Sequence, residues 1–538
     1  MKILSCNTGH DGALVYLDDG RLVFSREAEK DSNSRYAAIS EDHIISALDG
    51  LEQAPDVFCV GGFWLNESIL TRTYPHVFYR GLDAKSIAVG QRNVAGRSLR
   101  YFSSSHERSH LLCAYGLSGL PKGMPCYVLV WEGIIGSFYE IDADFNITLL
   151  AEPMTQPGNR YAAIYGLADP SFPKDSIMAR ATDAGKLMAL ASFATRSVAT
   201  AEEERLLDFL LTSRTVRLDR YDGLEQAPHY NVGTDDAEFR NFAGIASDRI
   251  FGIFFRYAET NMRKGLPLLI AGGCGLNCDW NSKWEQSGLF PEIFVPPVAN
   301  DSGSAIGTAI DAQFYFTGNP KIEWDVYSGE EFRADTPVDR NLFASVDADP
   351  ATLADMLAGG LILGWVNGKY EIGPRALCNR SILAAPFDES TRVRLNVIKQ
   401  REQFRPIAPA CLEDEALRWF GCARPSPYML YTFTATTAAL AAVTHVNGSA
   451  RIQTVSATSN RKMFDLLSAF KARTGYGVLC NTSLNFSGKG FINNIADLAG
   501  YTLDRKLDGF VVGGQAYLRK DSEQYLAYLR LFDAGSVG

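Results

Sequence analysis

Two histidines four residues apart, His106 and His110, stand just ahead of the apolar run 111–115. On a helix, positions i and i+4 share a face, so both imidazoles can converge on one metal ion. Asp301 offers an anionic ligand from a loop behind a predicted strand, where α/β folds usually build their sites. Glu132, at the end of another predicted strand, can supply a further oxygen. The chain has seven histidines in all, which gives weight to two at ligand spacing. Two imidazoles with carboxylates suit iron(II), manganese or zinc, and ligand softness does not choose among them. His10, in the turn after the first strand, is a candidate general base, because imidazole most easily takes a proton near neutral pH.

A second constellation lies downstream. Arg375 follows Gly373-Pro374, Lys399 and Arg405 flank a short basic run, Arg451 precedes Ile452, and Ser483 and Asn485 end an apolar strand. Arginine forks bind phosphate through two parallel hydrogen bonds, lysine adds a point charge, and Ser or Asn fixes remaining oxygens. Elements of this kind at strand ends and helix starts read as one anion pocket. A purely structural reading needs a carboxylate partner for each arginine.

The 538 residues exceed what one hydrophobic core serves, and a hydrophobic content of 46% with 21% charged residues is that of a soluble globular chain. A net charge of -10 disfavours sequence-independent nucleic-acid binding, so the basic stretch points to a small phosphorylated ligand. No run reaches the roughly 18 apolar residues that a bilayer span needs. The N-terminus reads as a buried strand rather than a signal peptide. The ten cysteines lie mostly within apolar segments without a metal-binding repeat, as free thiols in a reducing cytoplasm do.

Residues 2–6 and 13–24 read as a strand and a hairpin turning at Asp18-Asp19-Gly20. The pattern recurs at 126–142, which suggests a duplicated phosphate-loop plan like that of actin and sugar kinases. Residues 180–265 are helical in period. Strands follow at 267–271 and 292–295, the first ending in a glycine turn (Gly272, Gly273, Gly275, Asn277) that lets backbone amides approach a ligand. The Asp- and Pro-rich segment 334–350 reads as a linker, with a boundary near residue 345. A helix at 351–357 and a strand at 361–366 open the second domain. The loop around 156–161 is expected to face the acceptor.

Taken together, Gly9-His10-Asp11-Gly12-Ala13, Glu27-Ala28-Glu29-Lys30, the pair His106 and His110, Val130-Trp131-Glu132-Gly133, Asp183-Ala184-Gly185-Lys186, Gly272-Gly273-Cys274-Gly275, Gly373-Pro374-Arg375, Arg405-Pro406 and Asn481-Thr482-Ser483 resemble the O-carbamoyltransferase family of antibiotic biosynthesis and nodulation-factor modification. Its 3-hydroxymethylcephem carbamoyltransferases are the most similar branch. The resemblance implies an α/β chain: residues 1–345 as an actin-like (ASKHA, Kae1-like) carbamoyl-transfer domain, and 346–538 as a YrdC-like, carbamoyl-adenylate-forming domain. It implies carbamoyl phosphate held by Arg375, Lys399, Arg405, Arg451, Ser483 and Asn485. Lys399 and Arg405 would also be catalytic, with His10 assisting deprotonation of a small alcohol acceptor. Iron(II), or another divalent ion, would be held by His106, His110, Glu132 and Asp301. ATP, with Mg2+, would be the co-substrate, and Lys186, Gly272, Gly273, Gly275 and Asn277 would contact the nucleotide. A homodimer is compatible with this picture; nucleic acid and membrane are not expected partners. A nodulation-factor acceptor and a tRNA threonylcarbamoyl enzyme are the alternatives, the second disfavoured by the acidic balance. Many relatives carry Asp at the position of Glu132 and Lys at that of Arg35.

Overall fold

The computed structural model describes residues 1–32, 34–63, 77–94, 96–486 and 490–535. Two compact units emerge. One comprises Met1–Gly9, Ala13–Arg21 and Ile39–Glu323; the other comprises His10–Gly12, Leu22–Ala38 and Trp324–Gly538. Among the described residues no helix is long and apolar enough to cross a membrane.

The first sheet contains β1 (Lys2–Asn7), β2 (Ala13–Asp18), β3 (Arg21–Glu27), β4 (Val57–Val60), β5 (Ile87–Val94) and β6 (Arg97–Ser104), in the order β3-β2-β1-β4-β6-β5. Strand β1 runs antiparallel to β2 and parallel to β4, which is parallel to β6. The two-residue turn after β2 has Asp19 at φ 47° and Gly20 at φ 82°, the left-handed pair that matches the twist of a hairpin. The second sheet contains β7 (Cys126–Trp131), β8 (Gly136–Ile141), β9 (Ile147–Ala151), β10 (Leu268–Ala271) and β11 (Ile293–Phe294), in the order β11-β10-β7-β8-β9. Again the first strand pairs antiparallel with a hairpin partner and parallel with a later strand, which in turn has a parallel neighbour. The duplicated plan expected from the sequence is thus written in the strand order. Of the strand predicted at 292–295 only Ile293 and Phe294 pair, since Pro296 and Pro297 follow directly and cannot donate to a ladder.

The third sheet is mixed: β12 (Phe343–Asp347), β13 (Leu363–Val366), β14 (Arg380–Ala384), β15 (Ala408–Leu412), then β16 (Phe433–Thr434) and β17 (Ser449–Ala450) as a separate ribbon, β18 (Gln453–Val455), β19 (Val478–Ser483), β20 (Gly509–Val512) and β21 (Gln515–Arg519). Its order is β12-β21-β20-β13-β14-β19-β15-β18. Both faces are covered. Leu383 and Leu479 pack with Leu353, Met463 and Phe470 from the helices Pro350–Ala358 and Arg461–Thr474, whereas Ile382, Val478 and Cys480 point the other way, towards Leu395, Ile398 and Leu498. Such strands read as continuous apolar runs because neither face meets water.

The segment 334–350 is not a free linker. Residues 343–347 form β12, the edge strand paired with β21, and Phe343 is buried beneath it. The flanking aspartates obscured the strand: Asp349 caps the next helix, accepting from the amides of Ala351 and Thr352 at 3.0 Å each.

Candidate metal centre and cationic pocket

The sequence His106-Glu107-Arg108-Ser109-His110 opens the helix His106–Leu117, all twelve residues of which are buried. Ser105 caps it, its hydroxyl accepting from the Arg108 amide at 3.2 Å. A buried helix turn with five polar residues divides their work. Arg108 makes a two-pronged pair with buried Asp311 at 2.8 and 2.7 Å, tying this helix to Ser304–Thr317. Glu107 accepts from the Gly81 amide at 2.7 Å and from the Tyr139 hydroxyl. The hydroxyl of Ser109 bonds back to the His106 carbonyl at 2.7 Å. The two histidines remain, one turn apart on one face.

Their Nε2 atoms are 3.0 Å apart. Glu132, directly after β7, brings Oε2 to 3.6 Å from His106 and 3.8 Å from His110. Asp301, which opens the short turn Asp301–Gly303, lies 3.6 Å from His106 and 3.3 Å from His110. Ligand atoms on one ion at bonds of about 2.1 Å sit about 3.0–3.4 Å apart in octahedral or tetrahedral geometry. The four side chains therefore fit a divalent transition ion, all buried, with ligand atoms within 4.8 Å of one another. Burial pulls the His106 pKa down, but the Asp301 and Glu132 carboxylates outweigh it and lift His106 to about 10. Glu132 is held below the ordinary carboxylate range: burial acts to raise it, and the adjacent imidazoles overcome that. An ion entering here displaces protons.

Close backbone contacts hold the donors. Asn7, at the end of β1, donates to the Asp301 carbonyl at 3.0 Å. Gly272 has φ 92°, and a Cβ there would lie 2.5 Å from the Trp131 carbonyl oxygen and 2.8 Å from the Glu132 Cβ. Gly307 lets the helix Ser304–Thr317 approach the metal helix: its Cβ would sit 1.7 Å from the Ser109 carbonyl oxygen. Tyr79, absent from every sequence motif, donates its hydroxyl to the Glu132 carboxylate and stacks on His106 with ring centroids 4.3 Å apart.

The remaining candidates of this unit are placed differently. Lys186, on the helix Ala181–Ala191, pairs with Asp183 at 3.4 Å and lies 5.1 Å from the Tyr165 ring centre. Gly273 faces open space, Gly275 packs against Ala299 and Val295, and Asn277 caps Cys278–Gln286 by accepting from the amides of Asp279 and Trp280. Arg160, expected to face the acceptor, is instead buried in the helix Pro157–Ala168. It satisfies the end of Ala201–Thr212, donating to the carbonyls of Leu210 and Ser213 at 2.6 and 2.7 Å.

In the second unit the cations gather. Lys399, at the end of the helix Glu389–Ile398, is buried and donates to the Ser483 carbonyl at 2.6 Å, the Asn485 carbonyl at 3.1 Å and the Asn485 side chain. Burial pushes its pKa well below the usual lysine value, and Arg401, Arg405, Arg505 and Arg35 add to the push. Arg401 is lowered to about 9, by burial first and then by Arg405 and Arg451. Carboxylates flank the cluster: Arg35 lies 3.8 Å from Glu29 and Arg505 3.1 Å from Asp504. Arg401 binds Asn396 Oδ1 at 2.6 Å and the Pro406 carbonyl at 3.3 Å, and Arg405 meets Glu402 at 3.9 Å. Thus Lys399, Arg405, Arg451, Ser483 and Asn485 lie in one neighbourhood. Arg401, Arg35 and Arg505 join them. Arg401 was legible in the basic run, whereas Arg505, about 100 residues on, carried no local signal.

Arg375 follows a loop held from within the same unit: buried Lys30 donates to the Glu371 and Gly373 carbonyls at 2.6 and 2.8 Å, and Glu27 accepts from the Gly373 amide at 2.6 Å. His10, also in this unit, sets Nδ1 3.0 Å from the Asp11 carboxylate.

Family profiles described as the carbamoyltransferase C-terminus and N-terminus match residues 354–520 and 255–310. The chain is 44% identical to the 3'-hydroxymethylcephem-O-carbamoyltransferase of Amycolatopsis lactamdurans, across 97% of this chain and all of that protein. It is 33% identical to nodulation protein U of Rhizobium tropici, across 92% and 93% of the two chains. Among solved structures, the activator of the 2-hydroxyisocaproyl-CoA dehydratase from Clostridium difficile matches at 11% identity and a TM-score of 0.32, across 57% of this chain and 93% of that one. Full-length identity at this level makes the chain a member of the carbamoyltransferase family, and an enzyme that transfers carbamoyl groups.

Proposed function

We propose a two-stage O-carbamoyl transfer. Carbamoyl phosphate, ATP and water give carbamoyl adenylate, phosphate and pyrophosphate at the cation cluster. An alcohol then takes the carbamoyl group at the His106, His110, Glu132 and Asp301 donor set. In the second stage the acceptor oxygen bonds the carbonyl carbon, its proton passes to a base, and the bond from that carbon to the AMP oxygen breaks. The observation that carries the reading is Lys399, a buried amino group held by the Ser483 and Asn485 carbonyls and surrounded by the guanidiniums of Arg401, Arg405, Arg505 and Arg35. Positive charge concentrated around one buried amino group favours an anion that can neutralise it.

Within this reading Lys399, Arg405, Arg451, Ser483 and Asn485 bind the donor's phosphate, with Arg375 beside them and Arg401 and Arg505 adding charge. Lys186 and the turn Gly272, Gly273, Gly275 and Asn277 meet the nucleotide part of the intermediate, and Mg2+ accompanies ATP. Asp11 accepts from His10 Nδ1–H, which leaves Nε2 as the proton acceptor for the alcohol. Iron(II) at the donor set would supply Lewis acidity to the transfer. Because the cephem enzyme of Amycolatopsis lactamdurans is more similar than the nodulation relatives, we propose a small hydroxymethyl natural product of the cephem type as acceptor.

The test is release of pyrophosphate from ATP, which should require carbamoyl phosphate and fall at least a hundredfold in Arg405→Ala. Release that ignores either the donor or the substitution would remove the proposed pocket. A gain of one carbamoyl mass on a hydroxymethylcephem reads the second stage.

A further inference from the structure

We infer that Tyr79 is a positioning residue for the metal: it locks the Glu132 carboxylate so that this side chain offers an ion one oxygen rather than two. The inference rests on the reading of His106, His110, Glu132 and Asp301 as a metal centre.

The two oxygens of Glu132 have different surroundings. Oε1 accepts from the Tyr79 hydroxyl at 2.8 Å and from the Ile135 amide at 3.1 Å. Oε2 faces both imidazoles, at 3.6 and 3.8 Å, and lies 2.7 Å from the same hydroxyl. A phenol has one proton to give. Once an ion takes Oε2, that proton belongs on Oε1, where the Ile135 amide already points. Oε1 is then saturated by two donors and withheld from the ion. Glu132 becomes a single-oxygen ligand, and coordination positions stay open for exogenous oxygens.

The tyrosine is placed for this task before any ion arrives. Its ring stacks on His106 at an interplanar angle of 25°, and Phe63 meets both rings edge-on at 5.7 and 5.4 Å. Its backbone belongs to a loop fastened to the metal helix. The Glu107 amide donates to the Tyr79 carbonyl at 2.9 Å, and the Ser105 hydroxyl to the Gly81 carbonyl at 2.6 Å. Glu107 also accepts from the Gly81 amide, and Arg108 donates to the Leu82 carbonyl at 3.1 Å. The residues between the two histidines therefore pin the loop that orients the third ligand.

Tyr79→Phe removes the hydroxyl and keeps the ring. Titration calorimetry with Mn2+ as probe on the metal-free full chain should give a Kd about tenfold or more above wild type, the size of effect found when a residue supporting a metal ligand is lost. The melting temperature of the metal-free protein should be little changed. Electron paramagnetic resonance of the Mn2+ complex should differ between the two proteins. Equal Kd values and identical spectra would overturn the inference while leaving the metal centre standing. A wild-type chain that binds neither Mn2+, Zn2+ nor Fe2+ would overturn both. If the stack alone matters, Tyr79→Phe will match wild type and Tyr79→Ala alone will weaken binding, which also refutes a role for the hydroxyl.

Discussion

Anion binding at the proposed cation pocket should be coupled to protonation of Lys399. In the free protein, burial and then Arg401, Arg405, Arg505 and Arg35 disfavour its charged form. Between Lys399 and Arg401, lysine is the group to titrate, because a guanidinium gives up its proton far less readily than an ammonium. A bound phosphate reverses the balance. One unit charge about 4 Å away is worth about 4 kcal/mol at an effective dielectric of 20, equivalent to about three pKa units. Such an attraction raises the lysine's pKa when phosphate binds. Wherever the free lysine is partly neutral, phosphate binding should therefore take up protons, measured above the phosphate's own second ionisation. Affinity should then fall as pH rises through that range. Calorimetry in two buffers of different ionisation enthalpy, with inorganic phosphate as ligand, reads the proton count directly. Lys399→Met should bind more weakly and without that uptake. Wild-type uptake of zero, or the same uptake in the variant, would refute the argument.

Two further outcomes follow from packing and charge. Gly307→Ala places a methyl 1.7 Å from the Ser109 carbonyl oxygen, so the two helices must part to reach ordinary contact; destabilisation of about 1–3 kcal/mol with loss of metal affinity is expected, whereas Gly273→Ala, with no atom within 4 Å, should leave thermal unfolding unchanged. Glu203 is buried, which would raise its pKa, yet Arg196 at 2.7 and 2.8 Å, the Thr200 amide and His229 bring it down to about 2. A lowered carboxylate pKa stabilises the fold above its unfolded value of 4.5, and that contribution disappears as pH falls towards 2. Unfolding curves of Glu203→Gln and wild type should therefore differ most near neutrality and converge in acid.

The legible features share a physical trait: each is local. The hairpin at Asp19-Gly20, the i, i+4 histidines and the apolar runs of β7, β13 and β19 all follow from backbone periodicity over a few residues. What escaped needed either long-range contact or a residue type with an ordinary alternative use. Tyr79 looks like any core aromatic until Glu132, 53 positions on, is found against its hydroxyl. The segment 156–161 read as an acceptor-facing loop because nothing nearby in sequence announces that the carbonyls of Leu210 and Ser213 require the Arg160 donors. Phe343–Asp347 read as a linker because an edge strand buries little and tolerates the charges around it.

The duplicated sheets explain why the donor set could form where it does. In each sheet the first strand, β1 or β7, lies between an antiparallel hairpin partner and a parallel neighbour, so its C-terminal end opens onto a turn rather than a continuing ladder. Asn7 ends β1 and Glu132 follows β7. One holds the backbone of Asp301 and the other offers a carboxylate oxygen. Glycines bring the surrounding turns close: Gly272 against Glu132, and Gly158, whose Cβ would lie 3.0 Å from the Glu132 carbonyl oxygen. A long side chain on so confined a backbone has few rotamers to lose on binding an ion. Its remaining freedom is rotation of the carboxylate, the motion that the Tyr79 hydroxyl and the Ile135 amide restrain.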